Sequence, residues 1–342
     1  MTGLSNSAKA LSFAFDQIFG TQPQSNKAFF LRAEPLEGAA RLWQRGILNV
    51  QSCKPIHDRL QEDGCRVAAE LTGSDYDLGL LLITKHKQEN LANLARCWMA
   101  LRPGGLLICV GGNDLGVSSI EKALKSLIRQ PASLSKHHCK VLWGQRGEHI
   151  PEPLTQWAEA GCLQSVPSLG CWSQPGIYNW NKIDAGSALL VQALPGDLRG
   201  RAADLGAGWG YLSQQLLQRS PKIITLDLFE AEELALSAAK INLEPFAAAA
   251  HVRFHWHDIA QGLPPSAFDL VVMNPPFHDG KATDIALGRA FITAAAQSLV
   301  PGGRLFMVTN RQLPYEETLK SAFKTQTLLQ ESAVYKVISA VR

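Results

Sequence analysis

The sequence predicts an α/β protein built from two similar halves, each a mostly parallel sheet with helices on both faces. Three observations lead there. The chain has 342 residues, too many for one ordinary core and right for two at ~100–200 residues each. A segment of the first half, Leu101-Arg-Pro-Gly-Gly-Leu-Leu-Ile-Cys-Val110, recurs in the second as Leu299-Val-Pro-Gly-Gly-Arg-Leu-Phe-Met-Val308. Short apolar runs alternate with helix-periodic runs through the second half, the pattern of parallel strands joined by crossover helices.

The flanks of the repeat match as well as its centre. Helix-periodic stretches precede it at Asn90 to Ala100 and Ile285 to Ser298, and helices are expected after it at Val117 to Ile128 and Tyr315 to Phe323. Further upstream lie matching strand starts, Tyr76-Asp77-Leu78 and Phe268-Asp269-Leu270. Pro-Gly-Gly alone is a common turn; with these flanks it reads as an internal duplication. Strands of the second half are expected at Ala202–Leu205, Lys222–Leu226, His251–Trp256, Leu270–Met273 and Arg304–Val308, with a final alternating strand from Ala333 to Val341. The seam is expected where Ser, Gly, Pro and Gln cluster from Pro167 to Pro175, giving domains 1–172 and 173–342.

Composition excludes several classes. Hydrophobic residues make up 46% of the chain and charged residues 18%, so it can bury sizeable cores. No apolar run approaches the ~20 residues of a membrane helix, and Met1 to Gly20 does not read as a secretory signal. The seven cysteines form no C-x-x-C pair and are odd in number, which argues against a disulfide framework or a zinc ribbon. A reduced, cytoplasmic protein without a bound metal is expected. The net charge of +3 does not by itself announce nucleic acid.

Ligands of such sheets sit at the carboxyl ends of the strands. At the first strand end stands Asp204-Leu-Gly206-Ala-Gly208-Trp-Gly210. Glycines at alternate positions permit a sharp turn and a close ligand. The third glycine of a dinucleotide fingerprint would fall at Tyr211, so that reading fails and a nicotinamide-dependent dehydrogenase with it. An acid before the loop suits a ligand carrying an ammonium group. Asp227 is expected at the second strand end, where a carboxylate accepts from both ribose hydroxyls of a nucleoside; Glu230 reads as a charge at a helix start. Asp258, after His255-Trp-His257, is either an acceptor for an adenine amino group or a polar loop residue. The two histidines lack further ligands at metal spacing and read as ordinary strand residues.

The sharpest signal is Asn274-Pro275-Pro276-Phe277, after Asp269-Leu-Val-Val-Met273. Two prolines fix the backbone and remove two donors. The Asn274 carboxamide and the Pro275 carbonyl can then face one spot as acceptors, which selects a planar amino group. Phe277 offers a stacking face, a contact worth roughly 1–3 kcal/mol for a base.

These residues resemble the pattern of class I S-adenosylmethionine-dependent methyltransferases that act on planar exocyclic nitrogens. The run from Asn274 to Gly280, with His278 and Asp279, is similar to that of the guanine-N2 ribosomal RNA enzymes. So are Asn310 to Tyr315, Phe323 and Tyr335 to Val337, and the lead-in Gly176-Ile-Tyr178 with Ile183-Asp184. The family resembled most is ribosomal RNA small subunit methyltransferase C. Where that family usually reads Phe-Ser-Arg-Asp, this chain has Tyr178-Asn179-Trp180-Asn181, and Ala207 replaces a frequent cysteine.

The resemblance implies two tandem Rossmann-like domains with seven-stranded sheets, the second catalytic and the first degenerate. It implies S-adenosylmethionine as cofactor, held by Asp204, Gly206, Gly208, Gly210, Asp227, Asp258 and Asn274. It assigns catalysis to Asn274, Pro275, Pro276 and Phe277, and substrate contacts to Tyr178, Asp184 and His278. The implied substrate is guanine 1207 of 16S rRNA within the small (30S) ribosomal subunit; a monomer is expected because two fused similar domains can imitate a dimer in one chain. The alternatives are the related large-subunit 23S rRNA enzyme, a protein-glutamine methyltransferase, and a non-catalytic ribosome assembly factor that kept the fold.

The first half has neither the alternating glycines nor the Asn-Pro-Pro. Its expected first strand, Ala28 to Ala33, leads into Glu34-Pro35-Leu36, and its counterpart of the Pro-Pro strand end is Leu81-Leu82-Ile83-Thr84-Lys85-His86. Lys122, Lys125, Arg129, Lys136, Lys140 and Arg146 form a run without an acid among them. It is either a solvated surface or a set of phosphate contacts.

Overall fold

A computed structural model of the chain describes residues 4–19, 27–276 and 282–342. It divides into two compact units, Met1–Cys162 and Leu163–Arg342. The division falls upstream of the 172/173 seam because Gln164–Val166 and Cys171–Ser173 pair as a ribbon within the second unit. There Val166 and Cys171 pack on Ala235, Ala238 and Trp209.

The strands of the first unit are β1 (Ala28–Leu31), β2 (Leu48–Val50), β3 (Arg66–Ala68), β4 (Tyr76–Leu82), β5 (Leu101–Gly112), β6 (Ala132–Lys136) and β7 (Cys139–Gln145). Its helices are α1 (Asn6–Ala14), α2 (Gly38–Gln44), α3 (Lys54–Glu62), α4 (Lys87–Ala100), α5 (Val117–Leu127) and α6 (Glu152–Ala160). The sheet order is β3-β2-β1-β4-β5-β7-β6. All neighbours are parallel except β5–β7 and β6–β7.

The second unit holds the ribbon β8 (Gln164–Val166) and β9 (Cys171–Ser173), then β10 (Arg199–Leu205), β11 (Lys222–Glu230), β12 (His251–Trp256), β13 (Phe268–Met273), β14 (Leu299–Asn310), β15 (Thr325–Glu331) and β16 (Tyr335–Val341). Its helices are α7 (Ala185–Ala193), α8 (Tyr211–Arg219), α9 (Glu233–Leu243), α10 (Ala282–Ser298) and α11 (Glu316–Ala322). The order β12-β11-β10-β13-β14-β16-β15 repeats the first sheet strand for strand.

Each sheet is buried on both faces because successive side chains of its central strands point to opposite sides. In the first unit Phe29 and Leu81 enter one core, while Phe30, Leu80 and Leu82 enter the other. In the second, Ala202, Leu226 and Val272 face one core, and Ala203, Leu205 and Met273 the other.

The repeated Pro-Gly-Gly is the first irregular stretch of β5 and β14, not a separate turn before them. Its first glycine has φ +76° in one unit and +82° in the other, the left-handed region that side chains disfavour. A Cβ on its second glycine would lie 2.9 Å from a backbone carbonyl in both units, Arg102 or Val300. The duplication therefore preserves a backbone shape as well as letters.

Two expectations fail locally. The strand expected to stop at Leu226 runs on to Glu230, because Leu228 and Phe229 are buried on opposite faces and pair with Asp204 and Leu205. The basic run is not one surface. It covers α5 and the hairpin β6–β7, turned by His137 and His138, both at positive φ as a two-residue hairpin turn requires. All seven cysteines are free, and among the described residues no group of three His, Cys, Asp or Glu could hold a metal. No described helix is long and apolar enough to cross a membrane.

Candidate active site

Of the expected site residues, Asp204, the glycine loop, Asp258 and Asn274 stand at carboxyl ends of strands of the second unit, where Glu230 and Asn310, which were not expected there, join them. In sheet order these ends carry Asp258 after β12, Glu230 on β11, Asp204 and the glycine loop at β10, Asn274 after β13 and Asn310 on β14.

The glycine loop is tied to its neighbour strand. The Gly206 and Ala207 N–H groups both donate to the Phe229 carbonyl, at 2.8 and 3.2 Å. Gly206, Gly208 and Gly210 all have positive φ, but they differ in what they face. A Cβ on Gly208 would meet nothing within 4 Å, so that backbone is open to a ligand. A Cβ on Gly210 would meet the Ala239 Cβ at 3.3 Å, so Gly210 serves the packing of α8 on α9. On its Cβ side Gly210 is thus closed by α9, unlike Gly208.

Asp204 is fully buried beneath the loop. Its Oδ2 accepts from Ser213 Oγ of α8 at 2.7 Å, and its Oδ1 has no hydrogen-bond partner. Burial pushes its carboxyl up to about 7, the neighbouring Glu230 adds to the rise, and the Ser213 hydrogen bond opposes it.

The acid at the second strand end is Glu230, not Asp227. Asp227 lies three residues before the end of β11 and is engaged across the sheet. Its Oδ2 accepts from Arg253 at 2.7 Å and its Oδ1 pairs with His255 Nε2 at 2.6 Å, both on β12. The His255 ring in turn stacks on Phe229 with centroids 4.4 Å apart. Glu230 stands beside the glycine loop, where it accepts from the Gly208 N–H at 2.7 Å and the Glu232 N–H at 2.9 Å. Burial raises its carboxyl above the usual range, and those backbone N–H groups hold it down. The signal for this correction was in the sequence: a buried strand continues through Leu228 and Phe229 before an acid can stand at its end. Asp258 starts a short 3-10 turn, where its carboxylate accepts from the Ala260 N–H at 3.0 Å.

Asn274 sits in a network that its motif did not announce. Its Nδ2 donates to Asp184 Oδ2 at 2.9 Å and to Ser187 Oγ at 2.8 Å. Its Oδ1 is buried and has no hydrogen-bond partner. Asp184 is the N-cap of α7 and accepts from the Ser187 N–H at 2.8 Å. Its other oxygen accepts from the Tyr178 hydroxyl and from Asn179 Nδ2, each at 3.1 Å. Burial and the Asp184 charge push the Tyr178 phenol up to about 12, so it remains a donor. Tyr178 is 54% exposed. The expected substrate residues Tyr178 and Asp184 therefore support Asn274, and Asp184 contacts it directly. Pro275 is buried and Pro276 exposed. Phe277 and His278 lie outside the described residues.

The arrangement fits S-adenosylmethionine on its own evidence. A buried carboxylate oxygen and a buried carboxamide oxygen lack partners, and a Cβ-free backbone lies between an acid and the loop. That acceptor set suits the donors of an ammonium group, of ribose hydroxyls and of an exocyclic amino group.

The expected basic contacts of the first unit are dispersed. Lys125 and Lys140 both pair with Glu121, at 2.9 and 2.6 Å. The Lys136 ammonium lies over the Phe13 ring at 4.8 Å, and Arg146 is only 8% exposed. Lys122 and Arg129 are exposed. Arg146 is removed from any phosphate-binding surface by its burial.

The chain matches known proteins along its length. The methyltransferase small domain matches residues 168–339, and the N-terminal domain that accompanies it matches residues 41–160. Ribosomal RNA small subunit methyltransferase C of Psychromonas ingrahamii is 31% identical over 275 residues, covering 78% of this chain and 76% of that protein. Its counterpart in Pectobacterium atrosepticum is 29% identical over 291 residues, covering 85% and 81%. The solved structure of the T. thermophilus 16S rRNA N2 G1207 methyltransferase, in complex with AdoMet and guanosine, superposes with a TM-score of 0.80. That match has 24% identity and covers 99% of this chain and 92% of the other. The chain belongs to the ribosomal RNA small subunit methyltransferase C family.

Proposed function

We propose that the protein transfers a methyl group from S-adenosylmethionine to the exocyclic N2 of a guanine in 16S rRNA. The observation that carries this is the Asn274 carboxamide: both amide hydrogens are engaged behind it, and the buried oxygen is left as an acceptor beside two prolines. An acceptor fixed in this way selects a planar amino group. Family membership supplies the nucleic acid, and the T. thermophilus relative's target, G1207, is the target proposed for this chain.

In this reading Asp204 and the open face at Gly208 would hold the amino-acid end of the cofactor. Glu230 would accept from its ribose hydroxyls and Asp258 from its adenine amino group. The bound cofactor supplies an electrophilic methyl group. The remaining work belongs to the chain. Asn274 Oδ1 and the Pro275 carbonyl accept from the guanine amino group, which fixes its plane and turns the nitrogen lone pair toward the methyl group. The same acceptors stabilise the positive charge that develops on nitrogen. No strong base is required, since that nitrogen becomes acidic as it is alkylated. The guanine must leave its stack to enter.

The first unit is read as a degenerate copy that binds no cofactor. Where the second unit has Gly206, it has Arg32, with φ +58°. The Arg32 guanidinium crosses the strand ends to Glu89 at 2.6 Å and Ser52 at 2.7 Å, and Thr84 joins Glu89 at 2.7 Å. Side chains thus fill the place that a cofactor would need. The proposed setting is one chain acting on the assembled small subunit in the cytoplasm. Digestion of 16S rRNA from cells lacking the gene tests the assignment. N2-methylguanosine at the position of G1207 should disappear and return on complementation, and its persistence would reject the proposal.

A further inference from the structure

We propose that Asp184 is a positioning residue for the transfer, locking the Asn274 carboxamide with its oxygen toward the substrate amino group. The inference rests on the functional reading above. A carboxylate only accepts hydrogen bonds, whereas the two ends of a carboxamide differ. Asp184 Oδ2 lies 2.9 Å from Asn274 Nδ2. A flipped amide would set oxygen against oxygen there and present a donor to the guanine amino group, which is itself a donor. Ser187 Oγ, at 2.8 Å, takes the second amide hydrogen but can adapt by rotating its hydroxyl. The carboxylate therefore decides the orientation.

The lock is built more firmly than a helix cap needs. Capping α7 uses only the bond from the Ser187 N–H to Oδ2. The other oxygen is held by Tyr178 and Asn179, and Asn179 adopts a φ of +49° in doing so. The first turn of α7 is seated closely as well: a Cβ on Gly186 would lie 3.1 Å from the Tyr335 ring. The unusual lead-in Tyr178-Asn179-Trp180-Asn181 thus supplies two of the groups that fix the carboxylate.

Three variants test this with labelled cofactor and small subunits purified from cells lacking the enzyme. Asp184→Ser keeps a capping oxygen for α7 but is too short to reach Asn274. Its kcat should fall about 10²-fold, the cost of a misplaced catalytic group, with the RNA KM and the cofactor Kd unchanged. Asp184→Asn retains an acceptor at the same place and should recover most of kcat. Ser187→Ala removes the adaptable partner and should lower kcat by less. Wild-type kcat in Asp184→Ser, equal loss in Asp184→Asn, or a matching loss of cofactor affinity would overturn the proposal. Should Asp184→Ser not fold, a loss of kcat of about 10²-fold in Asp184→Asn would overturn it. Absence of transfer by the wild-type protein would instead overturn the functional reading.

Discussion

Exchanging the acids of β11 one at a time separates the two readings of the cofactor site. Glu230→Gln removes the charge at the strand end while keeping the side chain's length. Hydrogen bonds to a charged group contribute about 1.5–3 kcal/mol each, against about 1 kcal/mol for neutral ones. A glutamine retains one acceptor, so the net loss toward two ribose hydroxyls is about 2 kcal/mol, or roughly 30-fold in Kd. Asp227→Asn should act differently. Its partners are Arg253, whose side chain is half exposed, and His255. Its own side chain is only 4% exposed, so its loss should cost stability of about 1–3 kcal/mol and leave cofactor affinity unchanged. Isothermal titration with S-adenosylmethionine and thermal unfolding of both variants decide the matter. Full affinity in Glu230→Gln together with lost affinity in Asp227→Asn would refute the reasoning.

Three further outcomes are expected. The Asp204 carboxyl is raised from 3.8 to about 7, so the fold holds a proton that the unfolded chain releases between those values. Its contribution to stability is therefore full below about 4 and lost as pH rises through about 7, whereas an ammonium-bearing cofactor selects the ionised form. Cofactor affinity should weaken about tenfold from pH 8 to pH 6, and a flat profile would remove Asp204 from the site. Asn274→Ala should lower kcat by about 10²–10³-fold, as loss of one preorganised group at a developing charge does, with cofactor Kd nearly intact; lost cofactor binding would contradict its assigned role. Gly208→Ala places a side chain at φ +55° in the open cradle. It should cost about 1–2 kcal/mol of stability and lower cofactor affinity, and unchanged titration would place the ligand elsewhere.

Much of the architecture was legible because its signals are local. The echoed Pro-Gly-Gly segments and the alternation of apolar runs with helical runs specify two parallel sheets of one topology, and the strand His251–Trp256 was read to the residue. The strand β15 escaped notice because Thr325–Glu331 is an edge strand with little burial and so little apolar pattern. Asn274 and the glycine loop were legible from motif chemistry. Asp227 was misplaced because an acid in a strand looks like an acid at its end unless burial on both faces is considered. The network behind Asn274 was not legible at all. Asp184 and Asn274 are 90 positions apart in the chain, and only the docking of α7 on the sheet, against β14 and β16, brings them together. The basic run was left open between a solvated surface and phosphate contacts, because spacing alone does not show that a helix and a hairpin send Lys125 and Lys140 to Glu121 and bury Arg146.

The central claim is the reaction itself, and labelled S-adenosylmethionine tests it most directly. The purified protein would be offered small subunits, large subunits and the RNA stripped from each, all from cells lacking the enzyme. Label should appear in 16S rRNA and be recovered as N2-methylguanosine at the position of G1207. Label confined to large-subunit RNA, or none in any pool while the cofactor still binds, would contradict it.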